Sequence, residues 1–95
     1  MATQLTKRDM AILTKREVEV VRLVSLGCTV PEAAAVLKLA PSTVDNHKSR
    51  AMAKLGTDKI ALLTRVALRS GITSLRDRLT NLEKRRSGRR QDGWN

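Results

Sequence analysis

The chain has 95 residues, with 19 Lys and Arg against 9 Asp and Glu, and a formal net charge of +10. That length admits one small domain with tails, and a pI of about 11.1 points to an anionic partner, nucleic acid before membrane. One Trp and no Tyr or Phe argue against the single-strand binders that stack unpaired bases on aromatic side chains. No apolar run approaches the roughly 18 residues of a membrane span, and the N-terminus lacks the apolar region of a signal peptide. The lone Cys28 cannot form an internal disulfide; it fits a reducing cytoplasm and reads as a small apolar residue.

Sustained period-2 alternation is absent, so an all-α fold is expected. Residues 1–12 hold Leu5-Thr6-Lys7-Arg8-Asp9-Met10, which makes at most a short accessory segment before the domain. Leu13-Thr14-Lys15-Arg16-Glu17-Val18 is a stronger start signal. Thr14 can cap a helix, Glu17 can return the bond, and Leu13 with Val18 occupies the positions of a hydrophobic staple. This helix runs to about Leu26 and Gly27 ends it. Thr29-Val30-Pro31-Glu32 is a second capping box, opening a short helix to about Leu37 with Ala34 and Leu37 facing inward. Residues 38–40 make a tight connection, and Pro41 suits the first position of a longer helix that reaches Leu55 before Gly56. Asp58-Lys59 opens a fourth helix to Ser70, stopped by Gly71. Thr73 or Ser74 opens a fifth over 73–86, with Leu75, Leu79 and Leu82 at i, i+4 and i+7. Lys84 to Arg90 carries five positive charges, half the net charge, and residues 87–95 read as a disordered basic tail.

A short helix, a tight turn and a longer helix make a helix-turn-helix arrangement. At about 100° per residue, Val44, Ala51 and Leu55 fall within roughly 40° and form a core stripe. Ser42, Asp45, Asn46, Ser49, Arg50 and Ala53 share the opposite arc, with Thr43, His47 and Lys54 at its edge. Short polar side chains let a backbone come close to base edges, and cations at the rim suit phosphate. The alternative is a plain solvated helix face. His47 is the chain's only histidine and reads as a packing or backbone-bonding residue. No nucleophile–base pair, phosphate loop or metal cluster is evident, so neither an enzyme nor a cofactor is expected.

The residues L-T-K-R-E-V-E-V-V (13–21), Gly27-Cys28-Thr29, Glu32, Ala34, Leu37, T-V-D-N-H (43–47), Met52, K-L-G (54–56) and L-T-R-V-A-L-R-S-G (63–71) resemble the LuxR/FixJ/NarL-type DNA-binding domain. The likeness spans about 13–72. It implies a four-helix helix-turn-helix domain that binds double-stranded DNA as a dimer in the bacterial cytoplasm, at the nucleoid, in many members as the output domain of a response regulator. Carried over by position, it implies base reading by Ser42, Asp45, Asn46 and Ser49, and phosphate contacts by Thr43, Lys48, Arg50 and Lys54. The sequence departs from the family where Ala40 replaces the usual Ser or Thr cap, where Asp45 replaces a frequent Lys, and where Lys59 and Ile60 replace a usual Asn and a usual cation. Ser42 and Asp45 are candidates for a shifted capping box; the alternative role for Asp45 is to accept a bond from a cytosine amine.

The fourth helix carries more apolar surface than one core stripe requires, and the resemblance implies a dimer contact there. The expected interface is Leu62, Leu63 and Val66, prolonged by Leu75 and Leu79. The basic tail is a candidate to follow the phosphate backbone. Two other readings remain open: a sigma-factor region-4-like promoter module, with RNA polymerase as its partner, and a protein-interaction adaptor that has lost base reading. The chain has no room for a receiver domain, so it reads as an effector domain or a single-domain regulator.

Overall fold

In the computed structural model, which describes residues 12–89, five helices form and no strand appears among those residues. Helix α1 (Lys15–Ser25) starts as the capping box requires: the Thr14 hydroxyl accepts from the Glu17 N–H at 3.1 Å and the Thr14 N–H donates to Glu17 Oε1 at 3.0 Å. Leu13 and Val18 then meet in one apolar cluster, fixing the angle at which the chain enters the helix. Helix α2 (Val30–Leu37) repeats the device with Thr29 and Glu32. The chain leaves α2 through Lys38, at φ 57° and ψ 44°, the only non-glycine with positive φ among the described residues.

Helix α3 (Pro41–Leu55) begins on Ala40, which supplies no side-chain cap; Pro41 fills the first turn, where a missing N–H costs nothing. Gly56 ends it in the left-handed region at φ 71°. Ser42 therefore lies inside the helix rather than at its cap, so no shifted capping box with Asp45 forms. Helix α4 (Ile60–Ser70) follows from Lys59, also without a side-chain cap.

Helix α1 is the centre of the packing because its adjacent valines point to different neighbours. Val20, with Leu23 and Val24, joins Cys28, Ala33, Ala34, Val36 and Val44 in one cluster. Val21 joins Leu13, Ala51, Leu55, Leu63 and Ala67 in the other. The expected stripe of α3 is the one observed: Val44, Ala51 and Leu55 are all buried. Ala34 faces inward as expected, with Ala33 and Val36 beside it, and Leu37 is only partly buried.

The C-terminal region corrects the sequence reading. Residues 71–80 are irregular and the fifth helix, α5, spans Asn81–Ser87. Its start signal is Thr80-Asn81-Leu82-Glu83, a capping box with both bonds formed, which the spacing of the leucines obscured. The leucines share no seam. Leu79 is buried in the first cluster, whereas Leu75 is 83 % exposed and Leu82 is 47 % exposed. Of the tail expected at 87–95, Ser87 closes α5 and Gly88 caps it, with Arg89 bonded to the Gly27 carbonyl. The accessory segment, apart from Ile12, and residues 90–95 lie outside the described residues.

Arg22 of α1 holds this segment down. Its Nε and Nη2 donate to the two carboxylate oxygens of Asp77 at 2.9 and 3.1 Å, and Nη1 reaches Glu83 Oε2 at 2.7 Å. Thr73 Oγ1 donates to the same Asp77 carboxylate at 2.7 Å. Farther along, Arg86 donates to the Val36 carbonyl, and Arg89 donates to the Gly27 carbonyl and lies 3.6 Å from Glu32. Residues 72–89 thus form a strap across α1 and α2, with Leu79 as its plug and Cys28 in the cluster beneath it. Charge-assisted bonds of this kind contribute about 1.5–3 kcal/mol each. Arg22→Leu is expected to weaken the strap by about 2 kcal/mol, which raises Cys28 labelling by a thiol reagent on the order of thirty-fold while far-UV helicity stays close to wild type. Labelling at the unmodified rate would show that the strap does not cover the thiol.

Candidate nucleic-acid interface

With Val44, Ala51 and Leu55 buried, the 3.6-residue period leaves Ser42, Thr43, Asp45, Asn46, Ser49, Arg50 and Ala53 outward, and all seven are exposed. The four base-reading candidates, Ser42, Asp45, Asn46 and Ser49, therefore lie on one face at i, i+3, i+4 and i+7. Ser42, Asn46 and Ser49 make no side-chain hydrogen bond, and Arg50 no ion pair, within the described residues. Asp45 lies 3.9 Å from Lys48 Nζ, one helical turn on. Lys48 is half-buried but Asp45 is exposed and the separation is long, so the pair contributes about 0–1 kcal/mol. Asp45 is past the first turn of α3, so its carboxylate is neither a cap nor a strong partner for the helix dipole.

Two expected phosphate contacts keep their exposure, Thr43 and Arg50, and Lys48 is half-buried beside Asp45. Lys54 is exposed but already engaged. Its Nζ donates to Glu17 Oε1 at 2.7 Å and to the Ile12 carbonyl at 3.1 Å, so its ammonium is turned inward onto α1. Glu17 is 1 % exposed. A carboxylate buried so deeply requires compensation, and Lys54 with the Thr14 N–H supplies it. Burial pushes the Glu17 carboxyl up. The hydrogen bonds from Lys54 and Thr14, with the charges of Lys54 and His47, outweigh burial and hold it below its ordinary value. His47 is half-buried near that carboxylate, and its Nδ1 is buried without a partner. Spacing had marked Glu17 for a cap; no sequence signal paired it with a residue 37 positions away.

Of the expected interface residues, Leu63 is fully buried in the second cluster and Leu79 lies in the first, so neither is free for a partner. Leu63 is inward because it sits four residues before Ala67, on the stripe that α4 turns toward α1. Leu62 is 46 % exposed and Ile60 41 %, Val66 is half-buried, and Leu75 stands in solvent. Among the described residues no cluster of His, Cys, Asp and Glu is placed to hold a metal ion, and no helix is long and apolar enough to cross a membrane.

A short α2, a tight left-handed turn and a longer α3 with an outward polar face, braced by α1 and α4, define a helix-turn-helix domain. The family described as bacterial regulatory proteins, luxR family (GerE), matches residues 11–67, and the chain belongs to it. Among curated proteins it is similar to "Response regulator UvrY" of Escherichia coli (strain K12) and of Shigella flexneri, in each case 31 % identical over 67 residues, covering 70 % of this chain and 31 % of the relative. The chain spans about a third of the length of these curated relatives. No solved structure matches.

Glu17, Asp77 and Glu83 all ionise below their ordinary values of 4.5, 3.8 and 4.5. For Asp77 the Arg22 bond is the main cause; for Glu83 burial acts upward and Arg22 overcomes it. Groups so depressed stabilise the fold above their unfolded values, and that contribution is lost as pH falls through the folded ones. The melting temperature is therefore expected to fall from about pH 5 downward, and less steeply in Glu17→Gln, which cannot titrate at that site. Lys54→Met leaves a buried carboxylate uncompensated and is expected to cost about 3–5 kcal/mol at neutral pH, more than Glu17→Gln. A smaller loss in Lys54→Met than in Glu17→Gln, measured by denaturant unfolding, would contradict this account.

Proposed function

We propose that this chain is a sequence-specific transcription regulator that binds duplex DNA as a homodimer and reads the major groove with α3. The observation that carries the reading is the division of that helix. Its apolar stripe is fully used by the core, and its opposite face consists of short hydroxyl, amide and carboxylate groups with Arg50 at the rim. Such a face can approach base edges closely and offers both donors and acceptors to them. Ser42, Asp45, Asn46 and Ser49 are the base readers, and Thr43, Lys48 and Arg50 the phosphate contacts. Lys54 is left out because it is committed to Glu17. The charge of +10 supports an affinity that falls steeply with salt.

The dimer forms through α4, at the exposed Leu62 and the half-buried Val66 one turn on, with Leu75 as a further contact, and sets two copies of α3 about 34 Å apart on successive turns of the groove. The likeness to response regulators supports an output role governed by a partner domain or protein, with RNA polymerase as the downstream partner. Work in the bacterial cytoplasm, at the nucleoid, follows from that role.

Selection of bound duplexes from a random pool tests the reading: a two-fold symmetric consensus is expected. Binding without sequence preference would sink it and favour an adaptor role. Asp45→Asn is expected to relax one cytosine position of that consensus, a loss of about 1–3 kcal/mol of discrimination there, with little change in stability. Leu62→Asp is expected to give a monomer by analytical ultracentrifugation, with an unchanged helical spectrum and weaker binding to the full site.

A further inference from the structure

The strongest charged surface outside α3 is on α5. The helix and the two residues after it, 81–89, hold Lys84, Arg85, Arg86 and Arg89 against a single acid, Glu83, which is already paired with Arg22. The four cations divide between two faces. Arg86 and Arg89 turn toward α2, where they bond the carbonyls of Val36 and Gly27. Asn81, Lys84, Arg85 and Gly88 occur at i, i+3, i+4 and i+7 and share the other face. With Arg89 at its end they make one open, solvent-facing surface. Among the described residues no carboxylate lies on it, and neither Lys84 nor Arg85 makes a side-chain bond or ion pair there.

We propose that this α5 face is a second DNA contact, a fixed cationic surface for backbone phosphates beside the helix-turn-helix, in which Lys84 and Arg85 bind phosphate oxygens and the Asn81 amide adds a donor. The proposal rests on the DNA-binding reading and extends its footprint beyond α3. Placement supports it. Helix α2 is packed against α3 on one side and α5 on the other, and in helix-turn-helix complexes the first helix of the pair crosses the sugar–phosphate backbone. Charge complementarity supports it as well, since this face presents Lys84, Arg85 and an amide, and its described residues include no acid to repel phosphate. The strap removes the usual disadvantage of a basic tail. Arg22, Leu79, Arg86 and Arg89 fix α5 before any ligand arrives, so the surface is not assembled at the moment of binding. It carries no base-reading geometry: its contribution is the same on every sequence.

The test compares the full chain with the double variant Lys84→Gln, Arg85→Gln, titrated over a range of salt on the selected duplex and on a scrambled duplex. Helicity and Cys28 labelling confirm that the strap is intact. Two lost phosphate contacts in each protomer, four in the dimer, are expected to lower the slope of log K against log salt by about 3.6, with the same fold-loss on both duplexes and an unchanged consensus. A control, Lys15→Gln with Arg76→Gln, removes equal charge from exposed positions elsewhere and is expected to change the slope little. An unchanged slope in the α5 variant overturns the α5 contact, as does an equal change in the control, which marks a general effect of charge. In both cases a wild-type chain that still selects a consensus leaves the DNA-binding reading standing. A wild-type chain that selects none overturns that reading and the α5 contact with it.

Discussion

The fold depends on what is done with one buried carboxylate. Glu17 closes the cap of α1 through Thr14 and, in the same position, accepts the Lys54 ammonium from α3. A carboxylate excluded from water is tolerated only when its bonding is complete, so the helix that presents the polar face is held to the central helix by a contact that admits little adjustment. The valines of α1 do the remaining work. They bury α2 on one side and α4 on the other, and the outward face of α3 is what remains after Val44, Ala51 and Leu55 have been placed.

Much of this is legible locally. Capping boxes at Thr14 and Thr29, the proline at the start of α3 and the glycine after it all rely on bonds between residues a few positions apart, and these interactions need no tertiary context. The division of α3 was legible because a helix has one period and its apolar residues occupy one phase of it. The C-terminal region was misread because two local signals conflicted. Leucines at 75, 79 and 82 have helical spacing, but Thr80 with Glu83 sets a later start, and Leu79 has a vacancy to fill between α1 and α2. Which signal prevails is decided by burial of one leucine and by Arg22, both of which are long-range.

The same limit explains the cations. Composition counts Lys54 and Arg22 toward a positive surface, yet both are consumed by carboxylates inside the structure. Leu63 was assigned outward for a related reason: the apolar residues of α4 exceed one stripe, and sequence alone does not tell which member of a crowded helix faces the core. Lys84 and Arg85 run the other way. They lie at the start of the basic run, at the end of the expected fifth helix, and become a fixed surface only because the strap is anchored on both sides of them.

The left-handed residue at the corner between α2 and α3 has a consequence for how that corner moves. A lysine at φ 57° is disfavoured by roughly 1 kcal/mol or more relative to the ordinary helical region. Its neighbours Leu37 and Leu39 both pack on the first cluster and hold it there. Any change of angle between the two helices must withdraw both leucines together, and once they are withdrawn the lysine has no reason to keep its conformation. The corner is therefore a strained residue clamped by packing on both sides, and the inclination of α3 is tied to the filling of the first cluster.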